Sequence, residues 1–312
     1  MEPRLFSSPQ PPPRSTAARL RASMWRQRSR SLSCPEVPRL EGRLALVTGG
    51  SRGIGLETTR GLRARGAEVI SASRSASPEA ERELGMRHQS LDLSDLGSVK
   101  GAVAELSEGL QGQSVDLLVA NAGLWPTAYR ASAQGHEIAF ATNVLGHHAL
   151  IRGLQRSGAL APDATVVVVT GDIYVLARDC TPDYRYRTPL GGQWAYCRSK
   201  LGNHWQAQEL ARRDPQLTVR VVHPGVVASE LSGSSRGPVG AVKRSLMLSL
   251  AQGAQATLYA ATQPDLPSGA YLHNTLGWLQ LEAGDAAADE ERAQRFWRLL
   301  EELLEELGEP VS

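Results

Sequence analysis

Short apolar runs alternate with stretches of helical spacing along most of the chain. "RLALVT" (43–48) runs into glycines, and residues 54–65 follow with a helical pattern. "AEVISAS" (67–73) and "RHQSLDLS" (87–94) read as a second and a third strand. The same reading predicts a helix over 95–109, a strand over 115–123, a helix over 135–154 and a strand over 164–170. A long helix over 193–213 and a sixth strand over 217–225, broken by Pro224, complete the regular part. Strands this apolar are buried on both sides, and helices of 12–20 residues between them make βαβ units. The fold class is therefore α/β, a doubly wound parallel sheet with helices on both faces.

Beyond residue 225 the pattern thins. "SSRGPVGAVKR" (234–244) reads as a mobile Gly- and Ser-rich loop, 253–262 as a helix and "GAYL" (269–272) as a last strand. Residues 289–307 place Phe296, Leu299, Leu300, Leu303 and Leu307 at helical spacing, a stripe expected to dock on its own domain. No internal repeat is found.

The first forty residues differ from the rest. They hold seven Pro, seven Ser and eight Arg against two acids, Glu2 and Glu36. Residues 1–40 are therefore expected to be a disordered basic leader, and 41–308 the folded domain. An Arg- and Ser-rich, acid-free stretch (16–33) has the composition of a mitochondrial targeting segment. It equally fits an ordinary basic tail, and Met24 offers an alternative start. Location is accordingly read as intracellular, cytoplasmic or mitochondrial. Outside the leader 26 basic residues face 30 acidic ones, a mildly acidic body that does not favour nucleic-acid binding. The longest apolar runs are too short to cross a membrane. Three cysteines, Cys34, Cys180 and Cys197, without paired spacing argue for reduced thiols and against a disulfide framework or a zinc site. His147 and His148 have no Cys or acid beside them and are read as packing residues; no metal is expected.

"TGGSRGIG" (48–55) lies between the first strand and the first helix. Gly49 allows a tight turn, Gly53 lets backbone approach a pyrophosphate, and Gly55 permits close helix–strand packing. Ser51, Arg52 and Ile54 complete the cradle, and the helix start offers N–H groups to phosphate. The second strand ends "SASRS", with Arg74 and no acid. Arg74 and Arg52 suit a 2′-phosphate, so NADP(H) is favoured over NAD(H). Tyr196 and Lys200, four apart, share one helix face. A neighbouring ammonium is expected to lower the Tyr196 pKa toward the range useful for acid–base work.

These motifs together resemble the short-chain dehydrogenase/reductase family, and its retinol-dehydrogenase-like branch in "AYCRSKLGN", "HPGVVASEL" and "DEERAQRFW". The resemblance covers about residues 42–300. It implies a single Rossmann-type domain acting on a carbonyl or alcohol, a lipophilic one such as a retinoid, steroid or lipid aldehyde. It implies that Tyr196 gives or takes the proton, Lys200 binds the nicotinamide ribose and Asn143 holds a water. Asp92 would approach the adenine, Asn121, Ala122 and Gly123 line the cofactor channel, and Pro224 and Gly225 flank the nicotinamide. The sequence does not fix oligomeric state, though relatives often pair as homodimers through the helices carrying "NVLGHH" and "YCRSK".

One position departs from the family. A Ser is expected just after the fifth strand, to hydrogen-bond the substrate oxygen. Here "VTGDIY" (169–174) offers Thr170, then Gly171 or Asp172. Gly has no donor, and an ionised Asp repels an alkoxide. Alternation along the strand aims Thr170 to the other face. Losing one such donor costs about 3–4 kcal/mol. An active enzyme and a catalytically impaired, cofactor-binding regulatory or interaction protein both remain open. The segment before Tyr196, with Tyr174, Tyr184, Tyr186, Trp194, Arg178, Arg185 and Arg187, reads as a surface loop or as a pocket wall for an aromatic or acidic ligand.

Overall fold

A computed structural model describes residues 8–13, 15–25, 27, 31–35, 38–228 and 247–306. The loop expected over 234–244 lies outside the described residues. Eight strands form one sheet: β1 (Leu44–Thr48), β2 (Glu68–Ser73), β3 (Arg87–Ser90), β4 (Val115–Ala120), β5 (Leu160–Val169), β6 (Thr218–His223), β7 (Tyr271–His273) and β8 (Gly277–Leu279). Their order is β3-β2-β1-β4-β5-β6-β7-β8, parallel throughout except the antiparallel β7–β8 pair. The order reverses between β1 and β4, which opens a crevice at the carboxyl ends of those strands.

The run of valines explains the centre of the sheet. Val166 and Val168 point to one face, Val167 and Val169 to the other, and all four are buried. On the first face lie α4 (Leu96–Gly109), α5, α6 (Gly191–Arg213) and α8 (Glu290–Glu305); α5 runs Ile138–Phe140, through a π turn Ala141–Leu145, into Gly146–Arg156. On the second lie α2 (Gly53–Ala64) and α7 (Leu250–Thr262), with Leu62 and Leu258 in a common core. The expected stripe does dock. Phe296, Leu300 and Leu303 are buried, Leu299 is partly so, and Trp297 and Leu304 join them; Leu307 lies outside the described residues. Phe296 meets Phe140 and Trp205, and Trp297 meets His148.

Two helices escape the sequence reading: α3 (Pro78–Leu84) and α1 (Thr16–Trp25). α1 sits in the leader expected to be disordered, and the leader's described residues are tied down at several points. Gln10 pairs with the backbone of Trp278 and Gln280, Leu32 N–H donates to Asn274 O at 3.0 Å, and Leu32 and Cys34 are buried. All three cysteines are free thiols and buried. No helix among the described residues is long and apolar enough to cross a membrane.

Leu300 is fully buried between α8 and the domain. Leu300→Ala is expected to lower unfolding free energy by about 2–5 kcal/mol, read from urea denaturation.

Candidate active site

The crevice is built around a threonine. Thr48 Oγ1, at the end of β1, accepts the N–H groups of Asn121 and Ala122, both at 2.9 Å. It donates to His147 Nε2 at 2.9 Å, because His147 Nδ1 must carry the proton that meets Asn143 O at 3.1 Å. Burial keeps this imidazole neutral, with its pKa pushed down to about 4. Asn121 Nδ2 closes the link by donating to Thr48 O at 2.9 Å. The ends of β1 and β4 are thus locked at the point where the strand order reverses.

The glycines of 48–55 divide their work as their spacing implies. Gly53 has φ +61°, and a Cβ there would meet nothing within 4 Å, so open space lies over this backbone. A Cβ at Gly55 would overlap the Gly49 carbonyl oxygen, so only glycine lets α2 approach this closely. No side chain caps the start of α2, which leaves its first turn able to meet an anion. Ser51 Oγ lies 2.8 Å from Ser73 Oγ and ties the turn to the end of β2. That bond brings exposed Arg52 and Arg74, their chain neighbours, to one edge. Asp92 Oδ1 accepts the N–H and hydroxyl of Ser94 at 2.9 and 2.7 Å in a local turn. An uncapped helix start below an open glycine backbone is a cradle that fits a dinucleotide diphosphate. Gly49, Ser51, Gly53, Ile54 and Gly55 would hold it, and Arg52 and Arg74 would lie toward a 2′-phosphate.

Lys200 Nζ is buried and donates to Val169 O at 2.9 Å, which fastens α6 to the end of β5. It lies 5.5 Å from the Tyr196 ring centroid, and Trp125 stacks flat on that ring at 4.5 Å. A Cβ on Gly123 would lie 3.4 Å from Asn143 Oδ1 and 3.7 Å from Lys200 Nζ, so these three converge. The expected lowering of the Tyr196 pKa is not what the structure gives. Burial pushes the phenol up, because losing water disfavours phenolate, and the neighbouring Cys197 thiol adds to the rise. Burial also lowers Lys200, to about 8.

Asn143 sits in the π turn of α5. Both N–H donors of its amide are used, on Leu124 O at 3.0 Å and Ser199 Oγ at 2.9 Å, and Oδ1 accepts Leu124 N–H at 2.8 Å. The side chain clips α5 to the segment that follows β4 and to α6.

The ambiguity after β5 resolves by direction. Thr170 Oγ1 does not turn away to the other face: it donates to Lys200 O at 2.8 Å, on the helix that carries Tyr196, and its proton is spent on that backbone. A Cβ on Gly171 would stand 3.6 Å from Lys200 Cγ and 3.8 Å from Tyr196 OH, in ordinary contact. Gly171 is extended at φ −150°, a conformation open to any residue. Asp172 is buried and points elsewhere, to Arg19 and Tyr271. Of the three candidates for the substrate side, only position 171 faces Tyr196. Tyr174, expected in a surface loop or pocket wall, is fully buried beside Asp172, whereas Trp194 is exposed. Sequence reading missed Trp125 and Arg19; the first stands two residues after "NAG", and the second carries no signal in the leader's composition. Among the described residues no cluster of His, Cys, Asp and Glu could hold a metal.

The short chain dehydrogenase family model matches residues 43–178. A mouse protein, retinol dehydrogenase 14, is 30% identical over 84% of this chain and 86% of its own. A zebrafish polyprenol dehydrogenase is 29% identical over 86% of this chain and 89% of its own. The solved short chain dehydrogenase of Burkholderia cenocepacia in complex with NADP superposes with a TM-score of 0.60 at 25% identity, covering 77% of this chain and 99% of that one.

The lowered Lys200 pKa has a stability consequence. The folded chain releases this proton near pH 8, the unfolded chain near 10.5, so between those values the unfolded state holds more protons. Stability conferred by this site therefore rises from about pH 8 to about pH 10. Wild-type thermal midpoints are expected to gain on those of Lys200→Met across that window.

Proposed function

Because the chain belongs to the short-chain dehydrogenase/reductase family, in its retinol-dehydrogenase-like branch, and is an NAD(P)-dependent oxidoreductase of carbonyls and alcohols, we propose that it uses NADP(H) in preference to NAD(H) on a lipophilic substrate. The observation that carries the reading is the meeting of Tyr196, Lys200 and Gly171 at the end of β5. Support for NADP(H) comes from Arg52 and Arg74 beside a cluster of serine hydroxyls with no carboxylate at the end of β2. The lipophilic substrate rests on the names of the relatives and on the aromatic surface of Trp125 over Tyr196.

When bound, the nicotinamide supplies or accepts the hydride. Tyr196 holds the proton on its hydroxyl, since burial keeps the phenol protonated at neutral pH, and delivers it to the carbonyl oxygen. Asn121, Ala122, Gly123, Pro224 and Gly225 would border the cofactor, Asp92 its adenine end, and Lys200 its ribose. Trp125 shields the phenol from water. Asn143 acts by fixing α5 against α6.

A second reading, a catalytically impaired cofactor-binding protein, is favoured by Gly171, which puts no donor where the substrate oxygen would lie. Gly171→Ser separates the two. Its Cβ fits without displacement, and the added hydroxyl would stabilise developing charge. An active enzyme is expected to turn over lipophilic carbonyls with NADPH, to lose that activity in Tyr196→Phe, and to gain up to roughly 10²–10³-fold in kcat in Gly171→Ser. Wild-type turnover no greater than that of Tyr196→Phe, with NADPH still binding by calorimetry, would establish the impaired reading instead. Failure to bind either dinucleotide would reject both.

A further inference from the structure

The leader carries a guanidinium into the interior. Arg19, on α1, is 3% exposed. Its Nε lies 2.7 Å from Asp172 Oδ1, and its two terminal nitrogens donate to Asp285 Oδ2 and Tyr174 OH, each at 2.9 Å. The guanidinium also lies over the rings of Tyr174 and Tyr271, 5.1 and 5.6 Å from their centroids.

Around the Asp172 carboxylate, Tyr271 OH from β7 donates to Oδ1 at 3.1 Å, and His273 Nε2 stands 3.7 Å from Oδ2. His273 Nδ1 accepts the N–H groups of Thr275 and Leu276, which leaves Nε2 as the nitrogen that carries a proton toward Asp172. His223, from β6, accepts the N–H of Asp172 on Nδ1 at 3.1 Å, and burial holds it neutral. His204, from α6, packs on Tyr174 at 4.2 Å with its pKa pushed down to about 3. His223 and His204 are thus neutral, and Arg19 brings a guanidinium into direct contact with Asp172. Asp172 is fixed through both its N–H and its carboxylate, and Gly171, the residue facing Tyr196, is its neighbour. A second tether lies close by. Gln27 Oε1 accepts Val226 N–H at 3.0 Å, and its Nε2 donates to Val226 O at 3.2 Å, just past Gly225.

We propose that Arg19 is a positioning residue of the active site, and that the leader is a built-in strap whose guanidinium sets the Gly171–Asp172 segment against Tyr196 and Lys200. The leader is then part of the working molecule, not a segment to be shed. The proposal rests on Tyr196 and Lys200 as the reacting pair. Removing the cation leaves a buried carboxylate that must take up a proton or remain unpaired. Protonation becomes easier as pH falls, so the variant recovers toward acid pH.

The test compares the full chain with Arg19→Met, Arg19→Lys and Arg19→Met/Asp172→Asn. Thermal midpoints are read at about pH 5 and about pH 8, and kcat and KM for NADPH-dependent reduction well below the midpoint. Arg19→Met is expected to lose roughly tenfold to hundredfold in kcat, with KM for NADPH nearly unchanged. Its midpoint deficit should be larger at pH 8 than at pH 5, shrink in Arg19→Lys, and lose its pH dependence in the double variant. Full kcat in Arg19→Met, or a deficit equal at both pH values, overturns the proposal. If the wild-type chain shows no Tyr196-dependent turnover, the reaction assignment fails instead. The pH-dependent midpoints then decide alone whether Arg19 is the charge that anchors this segment.

Discussion

A buried ammonium holds the helix of Tyr196 in register with the centre of the sheet. Lys200 Nζ has surrendered most of its water and meets Val169 O at 2.9 Å, at the last residue of β5. Burying that charge is costly, and its lowered pKa is the measure of the cost. The contact nevertheless fixes how far α6 slides along the sheet. Tyr196, one turn earlier on α6, lies against the backbone that follows β5, and Thr170 strengthens the same junction through Lys200 O. On the neighbouring strands Thr48 and His147 do comparable work without charge, sharing one hydroxyl among three partners. The crevice lies between these two junctions, and both of its walls are held by buried hydrogen bonds.

The strands and the glycine cradle were legible because their residues have few alternatives. Four consecutive valines fit a strand covered on both faces, and a glycine at position 55 admits the Gly49 carbonyl where any side chain would collide. The α8 stripe was legible for the same reason, as a periodic apolar face needs a partner. The leader was not. α1 is Arg- and Ser-rich, and a guanidinium is normally assigned to solvent; its burial depends on Asp172 and Asp285, more than 150 residues away in the chain. The side-chain direction at 170–172 was equally hidden. Thr170 turns to the helix that carries Tyr196, and the turn after β5 decides that Gly171 and not Asp172 faces the phenol. The direction of the Tyr196 shift was misjudged because helical spacing reports proximity to Lys200, whereas burial depends on the whole fold.

The departure from the family pattern therefore separates into two changes. At position 171 a donor is missing, and nothing in the surrounding space requires it to be missing. At position 172 an acid is present, and its environment accounts for it: Arg19, Tyr271 and His273 surround the carboxylate. Burial alone would raise this carboxyl, yet its partners hold it well below the ordinary range. The acid belongs to the interior of the molecule, and its charge does not bear directly on a substrate oxygen.

The C-terminal helix also changes what the outer flank can do. α8 lays Phe296 and Trp297 over α5 and α6, and Glu301 reaches His148 at 2.6 Å. Those are the helices through which relatives were expected to pair. On that flank the segment satisfies a buried imidazole and covers two aromatic rings, so the chain itself supplies part of the cover that these helices need.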